Sequence, residues 1–194
     1  METDLKAKAA LEQMFSDAFG SAENDELVIT LKQIASGDDD IEVPEELMNE
    51  EADGLDETNL FKLINEMSIP QKIKLALFGN KVARGLLIRD PNRQVSQFVL
   101  QNNRLREGEV VDFAKNTNLD EQIHRNIARN PGWLKGYDIK VALVSNPKVP
   151  PDVAMRFVKH LQDKDLRKLA KSKNIPSAVS TSCKKMAEKR QKKK

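Results

Sequence analysis

The chain has 194 residues, 39 % of them apolar and 32 % charged, enough for one domain with an appendage or for two small domains. A single cysteine, Cys183, rules out an intramolecular disulfide and suits a reducing cytoplasm, and no apolar run approaches the roughly 18–20 residues of a membrane span. The formal charge of +2 conceals two opposed blocks, with four lysines against nineteen acids in residues 1–68 and 28 basic residues against eleven acids thereafter. Blocks of this size imply either an acidic segment folded over a basic domain or two halves that meet different partners.

The first residues, METDLKAKAALEQMF, carry acids and lack the uninterrupted apolar core of a secretion signal, so a cytoplasmic protein is expected. Within residues 3–19, Leu11, Met14, Phe15, Ala18 and Phe19 recur at helical spacing, with Glu12, Gln13 and Asp17 off that face. This predicts an amphipathic helix able to dock on a partner or on the chain's own domain through Leu11, Met14, Phe15 and Phe19. The acidic, aromatic-poor stretch that follows predicts a largely disordered arm through residue 57, with VPEELM as an apolar island.

From Thr58 the pattern changes to short helices punctuated by Asn, Asp and Pro. The phrases IPQKI (69–73), VPPDV (149–153) and IPSAV (175–179) place proline in a first helical turn, where its missing N–H has no intrahelical partner. LDEQI (119–123) keeps the spacing with Asp, which favours the positive end of the helix. Helix ends are written RDP (89–91), RNP (129–131) and SNP (145–147), because the residue before proline is driven out of the helical region. YDIKVALVSNP and QKIKLALFGN alternate loosely enough to be buried strands. DIKVALVSN, however, aligns with the helix-forming DLRKLAKSK at an offset of 27, so both stretches are read as buried helices.

The chain also repeats itself. Residues 105–123 lie over 161–179 without a gap, pairing Leu105 with Leu161, Val110 with Leu166 and Phe113 with Leu169. Helices are predicted at 58–67, 70–79, 81–89, 93–102, 107–115, 120–130, 136–145, 151–160, 163–171 and 176–189. A pair of such short helices cannot bury its own apolar face, so neighbours must stack. The expected fold is all-α: helix–turn–helix repeats at 58–190 in an α-solenoid or compact array, an acidic arm at 1–57 and a basic tail at 184–194. Either helix of each pair can line the inner surface.

The phrases Lys72–Asn80 (KIKLALFGN), Asn146–Pro147 and Leu169–Val179 (LAKSKNIPSAV) give the region from about 69 to 187 a named likeness. It resembles HEAT-like or leucine-rich-repeat-variant helical repeat proteins, and more closely a group of uncharacterised bacterial helical-repeat proteins. The resemblance implies the architecture and brings no activity with it.

No catalytic or metal-binding constellation emerges. His124 and His160 are not paired at ligand spacing, and His124, beside Arg125, reads as solvated. GNKVARG (79–85) lacks the spacing of a phosphate-binding loop, and Cys183 reads as a small buried residue. Neither cofactor nor metal is expected, and the chain reads as a non-enzyme. Two features suggest binding. Trp133, Lys135 and Tyr137, bracketed by Gly132 and Gly136, form either an exposed contact site or a packed seam between repeats. Arg125 and Arg129, opposite Ile123 and Ile127, and Arg167, Lys168 and Lys171, opposite Leu166 and Leu169, would align into a basic stripe continued by the tail. The leading expectation is a scaffold or adaptor that binds a partner protein; the second is nucleic-acid binding through the basic face. A third is a HEAT-like DNA glycosylase using Trp133 and Asp138. No membrane insertion is expected, and the sequence leaves the oligomeric state open.

Overall fold

In the computed structural model the described residues are 29–30, 32–34, 37, 39–50 and 57–192. Regular structure among them is helical throughout. Ten α-helices run from residue 57 to residue 191: α1 (Glu57–Glu66), α2 (Ile69–Phe78), α3 (Lys81–Leu87), α4 (Arg93–Val99), α5 (Glu107–Lys115), α6 (Glu121–Ile127), α7 (Tyr137–Ser145), α8 (Pro151–Val158), α9 (Asp163–Ala170) and α10 (Ser177–Gln191). Both stretches that were ambiguous in sequence are helical, in α2 and α7. The amphipathic segment expected at 3–19, with Leu11, Met14, Phe15 and Phe19, lies outside the described residues.

Several helices begin where the sequence supplies a cap. Gln71 Oε1 accepts from the Ser68 N–H at 2.9 Å ahead of α2, and Asn80 Oδ1 accepts from the Ala83 N–H at 3.0 Å ahead of α3. Asp120 Oδ1 accepts from the Gln122 N–H at 2.8 Å ahead of α6. Prolines occupy the first turns of α2 and α8. Gly79 follows α2 because a side chain there would collide with the Leu75 carbonyl.

Packing divides the chain into two compact units, one through Leu105 and one from Arg106. In the first, α2 packs on α4 and α3, enclosing Ile73, Leu75, Leu77, Leu87, Val95 and Val99. In the second, α7 lies against α5 and α8, and α10 against α8 and α9. Its core is built from Val110, Ile123, Ile127, Ile139, Leu143, Leu166, Val179 and Cys183.

The turns share one chemistry. A side-chain oxygen accepts the N–H two residues ahead at Asp90 (to Asn92, 2.8 Å), Asn102 (to Arg104, 2.9 Å), Asn116 (to Asn118, 2.8 Å), Asn130 (to Gly132, 2.9 Å) and Asn146 (to Lys148, 2.9 Å). Ser172 does the same for Asn174 at 3.2 Å. Such turns let a short polar side chain stand in for backbone. Three buried asparagines also use the other end of the amide. Asn102 Nδ2 donates to the carbonyls of Ala76 and Gly79 (3.0 and 3.1 Å), and Asn146 Nδ2 to those of Ala114 and Asn116 (2.8 and 3.1 Å). Asn80 Nδ2 donates to Glu46 and Asn49 (both 2.9 Å). Asn102 and Asn146 thereby satisfy carbonyls at the ends of α2 and α5, which have no partner within their own helices.

The acid-rich stretch departs from expectation. Residues 39–50, read as part of a disordered arm through residue 57, are a strap fastened to the first unit. Lys74 Nζ holds the Asp39 carboxylate at 2.7 Å and the Ile41 carbonyl at 2.8 Å, and Gln71 Nε2 donates to the Glu42 carbonyl at 3.0 Å. The Asn80 N–H donates to the Leu47 carbonyl at 2.7 Å, and the guanidinium of Arg104 donates to Met48 at 2.8 Å. Arg84, itself 1 % exposed, meets the Glu50 carboxylate at 2.6 Å. Leu47 is fully buried beneath the strap. Asp40, Glu42, Glu45 and Glu46 face water, while the Asp39 and Glu50 carboxylates, the strap's carbonyls and its one inward leucine supply the attachment. Leu47→Ala is predicted to destabilise the full chain by about 2–5 kcal/mol in urea unfolding, the cost of a cavity at a packed site; a strap that merely rests on the surface would leave the midpoint unchanged.

Candidate interaction surface

The second unit holds most of the residues singled out from sequence, and it sorts them into clamps and free groups. Arg125 is a clamp. Its Nε donates to Glu121 at 2.8 Å within α6 and its terminal nitrogen to Asp152 of α8 at 3.1 Å. Hydrogen bonds to Arg125 hold the Asp152 carboxyl below its ordinary range, and the guanidinium is raised in turn. Arg125 therefore contributes little free charge to the expected stripe. Arg190 clamps likewise, donating to Asp163 (2.9 Å) and to the carbonyls of Leu161 (2.7 Å) and Lys159 (2.8 Å).

The aromatic pair is partly covered. Trp133 begins a short 3-10 turn, Trp133–Lys135, and both it and Tyr137 are half-buried. The Tyr137 hydroxyl donates to the Asp165 carboxylate and accepts from the Gln162 N–H at 2.9 Å, tying the start of α7 to the start of α9. Desolvation, then the Asp165 carboxylate, raises its pKa. Tyr137 thus acts as a seam residue, whereas Lys135 is exposed. Asp138, in the first turn of α7, is also exposed.

Charge remains free elsewhere. Arg129, Arg167, Lys168 and Lys171 are all exposed, as are Lys164 and Lys173, with no carboxylate within ion-pair distance among the described residues. On α10, Lys184, Lys185, Lys189 and Lys192 are exposed in the same way. Between α8 and α10 runs an open groove of about 480 Å³, lined by Met155, Ser177, Ala178, Thr181, Ser182 and Lys185. Met155 is 43 % exposed in it. The sequence reading missed this groove; its signal was the 3–4 spacing of Ala178, Ser182, Lys185, Lys189 and Lys192 along one helix.

Two buried polar groups, one in each unit, occupy equivalent places in the sequence. Aligning Asn80–Pro91 with Asp120–Pro131 sets Arg84 over His124. Arg84 donates to the Gly79 carbonyl at 3.0 Å. His124 Nε2 lies 3.2 Å from the Asn116 carbonyl and 3.0 Å from Asn146 Nδ2, and Nδ1 lies 3.2 Å from the Asp120 carbonyl. His124 is fully buried, which corrects the expectation of a solvated ring. Ile123 and Ile127 hold that face of α6 inward, and the adjacent Arg125 points to a different one. Burial lowers the His124 pKa from its ordinary 6.5. Cys183 is buried with its thiol pushed up by desolvation, an inert core group.

Among the described residues no group of three or more His, Cys, Asp or Glu is placed to hold a metal ion, and no helix is long and apolar enough to cross a membrane. No protein-family model, curated protein or solved structure matches the chain.

The lowered pKa makes a signed prediction. The unfolded chain binds a proton at His124 near pH 6.5, whereas the folded chain binds it only at lower pH. The stability contribution is therefore complete above that value and is lost as pH falls through the folded pKa. Thermal unfolding at about pH 7.5 and about pH 5 should show a drop for the wild-type protein and a smaller one for His124→Gln. Equal drops in both would place the titration elsewhere.

Proposed function

We propose that this chain is a non-enzymatic helical-repeat adaptor, acting in the cytoplasm, whose second unit holds a partner protein on the surface formed by its last helices. The observation that carries the reading is the division of labour among the cations. Arg125 and Arg190 are consumed in fastening helices, while Arg167, Lys168, Lys171, Lys185 and Lys189 stand exposed in the unit that bears the groove. Fixed helices that present unneutralised charge next to small apolar side chains suit recognition of a complementary protein surface. Kinship with HEAT-like or leucine-rich-repeat-variant proteins is part of the same proposal and rests on the repeated helix phrases.

Nucleic-acid binding is the second reading, favoured by the same lysines, since phosphate neutralisation needs only cations. Stacking on single strands needs open aromatic faces. In this unit Phe113 and Phe157 are buried, Trp133 is half-buried and Tyr137 is committed to Asp165. That balance favours protein over nucleic acid.

Affinity capture from native lysate by the full chain, with and without nuclease, tests the proposal. The expected result is a retained protein that survives nuclease and falls about tenfold with the triple variant Arg167→Glu, Lys168→Glu, Lys171→Glu, in line with loss of charge complementarity. Retention of nothing, or only of nuclease-sensitive material, overturns the adaptor reading.

A further inference from the structure

The groove between α8 and α10 has a chemistry of its own. Its floor and walls contain no carboxylate: Met155 comes from α8, and Ser177, Ala178, Thr181, Ser182 and Lys185 from α10. At 100° per residue, Ala178, Ser182, Lys185, Lys189 and Lys192 fall on one face of α10, opposite the buried Val179, Cys183 and Ala187. The face is graded along its length. Small side chains over the first two turns leave room for another backbone to come close, and three lysines follow over the last two. Glu188 lies about 60° from Lys185 on the helical wheel, on the side of Ser177 and Thr181, so the charged half of the track holds three lysines and one carboxylate. The 15-residue helix is about 22 Å long, a track suited to a rod rather than to a compact small molecule. The thioether of Met155 in the lining is flexible and polarisable, a side chain that accommodates varied apolar partners.

These features match the helix-in-groove mode of recognition, in which apolar anchors enter the groove and charges fix the register. We infer that the α8–α10 groove docks an acidic amphipathic helix of a partner protein, with small apolar side chains seated against Met155 and Ala178 and carboxylates along Lys185, Lys189 and Lys192. The grading argues for a helix over a nucleic-acid strand. A phosphate ribbon carries charge evenly along its length, whereas half of this track carries none. This inference rests on the adaptor reading and specifies the surface and the partner chemistry. It assigns work to Met155, Ala178, Lys185 and Lys189, which the sequence reading did not single out.

The test uses the full chain and a fluorescein-labelled synthetic helical peptide with leucine and alanine at 3–4 spacing on one face and glutamates beside them, read by anisotropy. Two variants probe the groove: Ala178→Trp fills it without changing charge, and Lys185→Gln with Lys189→Gln removes the cations without adding bulk. Ala178, Lys185 and Lys189 are exposed, so circular dichroism should show wild-type helicity in both. Saturable binding that weakens about tenfold or more in each groove variant supports the inference. Binding that ignores both groove variants and is lost in Arg167→Glu overturns the groove while leaving the adaptor reading intact. No peptide binding at low salt overturns it too, and lysate capture then decides the adaptor reading separately. Duplex DNA or single-stranded RNA bound more tightly than the peptide, and unaffected by Ala178→Trp, overturns it in favour of nucleic acid.

Discussion

The constraint that governs this protein is the cost of ending helices often. A helix leaves its last four carbonyls without partners inside itself, and seven of these ten helices are only seven to nine residues long. A large share of the backbone is therefore orphaned, and much of it is buried between neighbours, where an unpaired carbonyl is costly. The asparagine carboxamide answers this at both ends. Its oxygen forms the turn that follows the helix, and its NH₂ reaches the carbonyls of an earlier segment, as Asn102 does for Ala76 and Gly79 and Asn146 does for Ala114 and Asn116. Aspartate has no donors for the second task. Serine at position 172 forms the turn alone, and no amide reaches back from it.

Satisfying the interior in this way leaves the surface free for other uses. No buried side-chain polar atom among the described residues lacks a partner. Arg84 and His124, in matching places of the two units, each meet a carbonyl that ends a preceding helix, and one uses a charge where the other uses a neutral ring. The guanidinium also meets the Glu50 carboxylate of the strap, while the ring lies between the Asp120 and Asn116 carbonyls and the Asn146 amide. With helix ends fastened from within, α9 and α10 carry exposed lysines with no ion-pair partner among the described residues, and the adaptor proposal stands on them.

Much of this was legible in the chain. All ten helices were anticipated within a few residues of their bounds, because proline, aspartate and asparagine mark entry and exit in local terms that need no tertiary knowledge. The strap was not, since its acidic composition signals solvation, while its attachment runs through backbone carbonyls, Leu47 and long-range pairs of Asp39 and Glu50 that composition cannot show. His124 was misjudged from its neighbour Arg125, although Ile123 and Ile127 define the inward face and the register of Asn80–Pro91 on Asp120–Pro131 aligns it with another buried residue. The pairing of Arg125 with Asp152 spans 27 positions and leaves no mark in sequence. For the same reason two clamps were read as part of a free basic stripe and tail, and the groove beside α10 went unseen.

The most direct test of the amide constraint replaces the buried asparagines with leucine, a side chain of similar reach that adds apolar volume and removes the donors. If packing alone governed these positions, urea unfolding of the full chain carrying Asn102→Leu or Asn146→Leu would show unchanged or higher stability. The account predicts a loss of about 1–3 kcal/mol at each, the penalty for leaving buried carbonyls unpaired. A midpoint at or above that of the wild-type protein in both variants would contradict it.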